Sequence, residues 1–228
     1  MQFLRGDIGE AERAIAGKIC DELFAGRRVL WLVSGGSNIK TEVEVMRLVR
    51  DHCGDKLGGL AVMPMDERYG PPGHKDSNAQ QLREAGFEPG EATFVDVLTH
   101  GVPLEQTIAF YTDVAATAFA SAGVIIGQFG MGDDGHVAGV KPDSPAADAD
   151  EVTVAGYEWE DFTRLTLTPV TLARINVAYL LAYGSNKKTM LKRLQANKQP
   201  LNVLPAVLLY EIPEVYVYND QIESEGNR

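Results

Sequence analysis

The residues of this chain best equipped for chemistry lie in the run Gly130-Met131-Gly132-Asp133-Asp134-Gly135-His136. It joins one imidazole to two carboxylates and three glycines. Histidine is the side chain whose ordinary titration falls nearest neutrality, so His136 is a candidate general base. Asp134, two positions away, is a candidate for fixing its tautomer. The glycines tolerate positive φ and let the chain turn sharply. Such a set suits deprotonation of a water that attacks a carbonyl carbon. Read blandly, the same run is a Gly-Asp turn carrying a surface histidine.

Further segments offer binding groups. Ser34-Gly35-Gly36-Ser37 lies between an apolar run and a helical pattern, so its backbone can approach a ligand where a helix N-terminus presents unpaired N–H groups. That suits a phosphate, although the loop is neither a P-loop nor a dinucleotide fingerprint. Asp66-Glu67-Arg68 ends a second apolar run. Three charges in a row read most simply as a solvated loop, yet Arg68 can grip an oxyanion through its guanidinium fork. Arg164 opens Arg164-Leu165-Thr166-Leu167-Thr168, and Lys187 closes Gly184-Ser185-Asn186-Lys187; either cation alone would be a surface residue. His52, His74, His100 and His136 form no metal-ligand spacing with each other or with cysteine, so no metal site is expected.

The elements that must position these groups alternate. Helical periodicity covers residues 6–26, followed by a strand from Arg27 to Val33 and a helix from about Asn38 to Arg50. A strand spans Gly59 to Met65, a loop Tyr69 to Asp76, and Ser77 caps a helix through Gln80 to Ala85. A strand from Ala92 to Leu98 precedes a helix from about Leu104 to Ala120. The apolar run Val124 to Phe129 reads as a buried strand feeding the histidine turn. Strands are then expected at Glu151 to Ala155, Thr163 to Thr168, Val177 to Tyr183 and Val215 to Tyr218. Helices fall at Lys187 to Gln195 and Val203 to Leu209, and Asn219 to Arg228 reads as a polar, frayed end. Strands alternating with helices imply βαβ units, right-handed crossovers and a largely parallel sheet. In open sheets of this kind ligands bind at the carboxyl ends of the strands, which is where all four glycine-rich or charged turns fall.

Composition sets the outer limits. With 228 residues, 45% of them hydrophobic and 23% charged, the chain reads as one globular domain without repeats or linkers. A net charge of −11 argues against a nucleic-acid surface but leaves room for a small anionic substrate held by a few local cations. No apolar run is long enough to span a bilayer, and the N-terminus lacks the apolar stretch of a signal peptide. Cys20 and Cys53 are expected as reduced thiols in a cytoplasmic protein.

Taken together and in this order, the segments resemble the 6-phosphogluconolactonase and glucosamine-6-phosphate isomerase/deaminase superfamily. Ser34 to Ser37 is similar to its Ser-Gly-Gly-Ser-Thr-Pro loop, and Asp66-Glu67-Arg68 with Ser77-Asn78 to its Asp-Glu-Arg…Ser-Asn segment. Gly130 to His136 resembles its Gly-x-Gly-x-Asp-Gly-His turn, Arg164 to Thr168 its Arg-x-Thr-Leu-Thr strand, and Gly184 to Lys187 its Gly-x-x-Lys turn. The deaminase branch typically has Asp-Glu-Tyr at the second motif and a glutamate five residues after the histidine. Here those places hold Arg68 and Lys141, which together with Ser77-Asn78 favours the lactonase branch. Asn38-Ile39 replaces Thr-Pro, and Gly139-Val140-Lys141-Pro142 replaces the lactonase-like Ser-Leu-Phe-Pro, adding a cation and removing an aromatic beside the pocket.

The resemblance implies an α/β, three-layer Rossmann-like domain with a mostly parallel sheet, of the sugar-phosphate isomerase/CoA-transferase-like type, over residues 1–228. It implies hydrolysis of 6-phosphoglucono-1,5-lactone to 6-phosphogluconate, a step of the pentose phosphate pathway, with His136 as base and Asp134 as its partner. Ser34, Gly35, Gly36, Ser37, Asp66, Arg68, Arg164 and Lys187 would bind phosphate and sugar. No cofactor or metal is expected, nor a nucleic-acid or membrane partner, and the protein would be a cytoplasmic monomer or homodimer. The alternatives are a glucosamine-6-phosphate isomerase/deaminase, with Asp66 as carbon-acid base and His136 opening the ring, and a non-catalytic sugar-phosphate sensor.

Overall fold

A computed structural model describes residues 1–150 and 153–223. In chain order the elements are β1 (Gln2–Arg5), α1 (Ile8–Phe24), β2 (Val29–Val33), α2 (Ile39–Cys53), β3 (Leu60–Pro64), β4 (Asp66–Arg68), α3 (Asn78–Glu84), β5 (Thr93–Phe94), α4 (Leu104–Ser121), β6 (Val124–Gly130), β7 (Val154–Glu158), β8 (Thr163–Leu167), α5 (Pro169–Leu172), β9 (Val177–Ala182), α6 (Lys188–Ala196) and β10 (Glu214–Asn219). Short 3-10 turns cover Gly36–Asn38, Gly54–Gly59, Ser185–Lys187 and Pro205–Glu211.

Seven strands form one parallel sheet in the order β1-β10-β9-β6-β2-β3-β5. Alternate residues of β2 serve two cores. Val29, Trp31 and Val33 pack with α1 and α2 on one face, whereas Leu30 and Leu32 pack with α4 and α6 on the other. Period-2 side-chain alternation makes this possible, and burial of both faces explains why the strands read as continuous apolar runs. A second, antiparallel sheet of three strands, β4-β8-β7, lies in the same core as α4. The three-layer α/β arrangement with a mostly parallel sheet is therefore the fold expected from the sequence.

Several expectations need correction. Asp66-Glu67-Arg68 is a strand, paired with β8, and its two carboxylates are buried. Burial raises the pKa of both carboxyls, opposed at Asp66 by the neighbouring arginines and at Glu67 by hydrogen bonds. Glu67 alone accepts from the N–H groups of Arg68, Asn78 and Ala79 and from the Ser77 hydroxyl, tying β4 to the start of α3. The Ala92–Leu98 strand shrinks to Thr93–Phe94, since the chain turns at Asp96, whose carboxylate accepts from the Leu98 N–H. Gln2–Arg5 is an additional edge strand, in parallel register with β10. Asn219 is buried rather than frayed: its Oδ1 accepts from the Gln221 and Ile222 N–H groups and its amide donates to the Leu4 carbonyl. The strand expected at 151–155 begins outside the described residues and is observed from Val154; 224–228 of the expected frayed end also lie outside them. Cys20 on α1 and Cys53 on α2, expected as free thiols, are joined as a disulfide with Cα atoms 5.9 Å apart, because these helices pack side by side.

Candidate active site

Strand order reverses around β2: the chain proceeds through β3 to β5 on one side and then returns to β6 on the other. At such a switch point the two outgoing loops diverge and leave a crevice at the carboxyl ends of the strands. A cleft of about 310 Å³ occupies that place. Its walls include the Ser34–Ser37 loop after β2, Asp66 and Arg68 of β4, Met131, Gly132 and His136 after β6, Arg164 of β8, and Lys187 after β9. Every candidate residue read from the sequence lines the cleft except Asp134, which stands behind His136.

His136 Nδ1 lies 2.5 Å from Asp134 Oδ1, and the His136 backbone N–H donates to the same oxygen at 3.1 Å. Burial alone would push the Asp134 carboxyl up. The hydrogen bond and charge of His136, with a contribution from Lys141, hold it well below the usual carboxylate range. An ionised Asp134 favours the ring tautomer that carries its proton on Nδ1 and leaves the lone pair on Nε2, and no described group bonds to Nε2. The turn that presents the ring is closed by Gly135 N–H to the Gly132 carbonyl, with Gly135 at φ +87°.

Arg68 and Arg164 face each other directly across the β4–β8 pair. Like charges at opposed positions of a sheet repel, and nearby carboxylates offset that repulsion here. Asp66 sits beside both, and Asp161 accepts from Arg164 at 2.6 Å. Burial raises the Asp66 pKa, opposed by the two arginines, and its Oδ1 is buried without a hydrogen-bond partner. The Nε atoms of Arg68 and Arg164 are likewise buried and unbonded. Phe162 lies under both guanidiniums, 5.3 and 5.9 Å from its ring centre. Two guanidiniums and a carboxylate on the strands that line the cleft suit a polyhydroxylated anion.

The glycine loop works differently from its sequence reading. The N–H groups of Ser34 and Gly35 do not face a ligand; both donate to Glu42 Oε1, at 2.8 and 3.1 Å. The Ser34 hydroxyl accepts from the Gly130 N–H and from the Asn38 amide. Gly36 and Ser37, which open the 3-10 turn, remain as the residues whose N–H groups precede any intrahelical acceptor. Lys187 is paired with Asp133, which also accepts from Asn186 at 2.8 Å. Asp161, Phe162 and Lys141 line the cleft without having been singled out as binding residues. For Lys141 the signal was its departure from the lactonase-like pattern; Asp161 and Phe162 had only their closeness to Arg164.

A family model described as glucosamine-6-phosphate isomerases/6-phosphogluconolactonase matches residues 8–216. Among curated proteins, the chain is 27% identical over 173 residues to a 6-phosphogluconolactonase of Synechocystis, covering 72% of this chain and 71% of that one. It is 28% identical over 182 residues to a 6-phosphogluconolactonase of Pseudomonas aeruginosa, with 76% and 74% covered. Among solved structures, a monomeric glucosamine-6-phosphate deaminase superposes with a TM-score of 0.79 at 16% identity, over 96% of this chain and 97% of that one, which is a likeness of fold.

Proposed function

The chain belongs to the glucosamine-6-phosphate isomerase/6-phosphogluconolactonase family, and from that premise we propose that it hydrolyses 6-phosphoglucono-1,5-lactone to 6-phosphogluconate. The observation that carries this reading is the His136–Asp134 pair, with Nε2 unengaged, on the same cleft as the opposed Arg68 and Arg164. The lactonases that the chain is similar to suggest the substrate; the cleft has a candidate base and an anion-binding wall that support the reading.

In this mechanism Nε2 of His136 takes a proton from water as its oxygen adds to the lactone carbonyl. The carbonyl becomes a tetrahedral oxyanion, and Asp134 stabilises the imidazolium without accepting its proton. Collapse breaks the bond between the carbonyl carbon and the ring oxygen, and His136 returns the proton to that oxygen. Arg68, Arg164, Lys187 and the N–H groups of Gly36 and Ser37 hold phosphate, while Asp66, which lines the cleft between the two arginines, orients a sugar hydroxyl. A lactone is already activated, so the steps need no cofactor. The relevant unit is residues 1–228 as one catalytic domain. No helix among the described residues is long and apolar enough to cross a membrane; the proposed reaction favours a cytoplasmic site of action, whereas the disulfide between Cys20 and Cys53 does not.

The test is turnover of freshly made 6-phosphogluconolactone, followed by coupled oxidation of the acid with spontaneous hydrolysis subtracted, beside an ammonia assay on glucosamine-6-phosphate. Acceleration of the first alone supports the proposal, and a His136→Asn variant should lose about 10²–10⁴ of that rate, the usual worth of a positioned base. Ammonia release alone, or full activity of His136→Asn, would overturn it.

A further inference from the structure

Lys141 is not a loose surface lysine. It follows a turn closed by the bridge between Val137 and Val140. That turn is fastened to the antiparallel sheet: the Gly139 N–H donates to the Thr166 hydroxyl at 3.1 Å, and the Tyr157 hydroxyl donates to the Gly139 carbonyl. Gly139 is needed for this approach, since a Cβ there would stand 2.7 Å from Thr166 Cβ. Held in this way, the Lys141 side chain is only 13% exposed, and its Nζ lies 3.1 Å from Asp134 Oδ2 and 3.2 Å from His136 Nδ1.

The two oxygens of Asp134 are thus divided. Oδ1 receives the ring and backbone N–H of His136, and Oδ2 receives the ammonium of Lys141. An ammonium carries no lone pair and Nδ1–H is itself a donor, so the contact between Nζ and Nδ1 brings two donors together around one carboxylate. It fixes the carboxylate plane and sets a positive charge against the ring.

We propose that Lys141 is a positioning residue that clamps Asp134 and keeps His136 in its neutral, water-activating form at lower pH than the Asp134 pair alone would allow. This rests on the reading of His136 as a base. Other charges face the cleft from each neighbouring element: Asp66, set between Arg68 and Arg164, also feels the charge of His136; Asp161 pairs with Arg164 and feels Lys141; and Asp133 pairs with Lys187 beside Asp134. Among the described residues, Lys141 is the cation within hydrogen-bond distance of the His136 ring. Even with the full screening of water a unit charge at that distance is worth about one pH unit on the protonation of the ring, and the low exposure of Lys141 makes that figure a floor.

The experiment titrates the His136 ring carbons by NMR in the wild type and in Lys141→Met, Lys141→Gln and Lys141→Arg, without substrate, and records kcat/KM against pH for each. Met and Gln should move the ring's midpoint, and with it the acid limb of the kcat/KM profile, upward by about one unit or more. Arg should restore the wild-type position, which a purely structural role would not do. An unmoved midpoint in both Met and Gln overturns the inference, as does an equal shift in Arg. The NMR titration needs no turnover. A shifted midpoint in a protein inactive on the lactone therefore supports the clamp while refuting the proposed reaction.

Discussion

Replacing Glu42 by Gln should remove a pH-dependent loss of stability of about 3 kcal/mol. Glu42 lies wholly inside the protein, behind the glycine loop. Burial pushes its pKa up from 4.5 to about 7, against the pull of the Ser34 and Gly35 N–H groups, and the charge of Asp66 raises it further. The folded-state value exceeds that of the unfolded chain. Its contribution to stability is therefore complete below about pH 4.5 and is lost as pH rises through about 7. A gap of roughly 2.5 units at 1.36 kcal/mol each gives the stated figure. Gln keeps the acceptor oxygen for both N–H groups and cannot ionise; any cost of its unpaired amide is the same at every pH. The check is thermal unfolding of both proteins at pH 4.5 and pH 8. Relative to its offset at pH 4.5, the Gln variant should gain about 6–12 °C at pH 8, at the 2–4 °C per kcal/mol expected for a chain of this size. An unchanged offset between the two pH values would refute the reasoning, because it would mean that Glu42 is ionised, and paid for, in the native state throughout.

Other substitutions test the remaining parts. Lys187→Ala should raise KM for the lactone about tenfold or more while leaving kcat within a few-fold, because a contact remote from the reacting carbon binds ground and transition states alike; an equal fall in kcat would contradict this. Gly35→Ala should destabilise the fold by more than about 1–3 kcal/mol in urea unfolding: φ is +69°, and a Cβ would lie 2.5 Å from Asn78 Oδ1. Asn78 would have to move, loosening its 3.0 Å hydrogen bond to the Asp66 carbonyl, so activity should fall as well. Ser77→Ala should cost about 1 kcal/mol, since Ser77 caps α3 through the Gln80 N–H, and somewhat more because it also donates to Glu67.

The parallel sheet was legible because its inner strands are buried on both faces and therefore appear as unbroken apolar runs, such as Val29–Val33 and Val177–Ala182. The turns at their carboxyl ends were legible from glycine and charge, and the structure brings them to one cleft. What escaped depends on partners distant in sequence. Asp66-Glu67-Arg68 looks solvated until Glu67 meets the start of α3, ten to twelve residues on. The edge strand at Gln2–Arg5 exists because β10 is there to pair with it. The loop amides of Ser34 and Gly35 seemed free for a ligand because the acid that takes them lies in the first turn of α2. An acidic residue early in the helix after a glycine loop is a signal that the sequence did contain.

The charge at position 141 also bears on which of two chemistries a His–Asp pair performs in this cleft. A histidine that must donate a proton, as in ring opening, is helped by a nearby carboxylate, which favours the imidazolium; an ammonium opposes it. Lys141 supplies the ammonium, 3.2 Å from Nδ1. The carbon-acid base that the isomerase reading needs would be Asp66, which burial pushes toward the protonated form but which stands between two arginines suited to holding an anion. Placed there, Asp66 is better matched to orienting a hydroxyl than to travelling with a proton. Under the proposed reading, a histidine backed by a clamped carboxylate, opposite an arginine pair, suits addition of water to an ester held by its phosphate. The same arrangement predicts that Lys141→Glu would move the cleft toward the proton-donating state, with the acid limb of lactone hydrolysis rising further than in Lys141→Met.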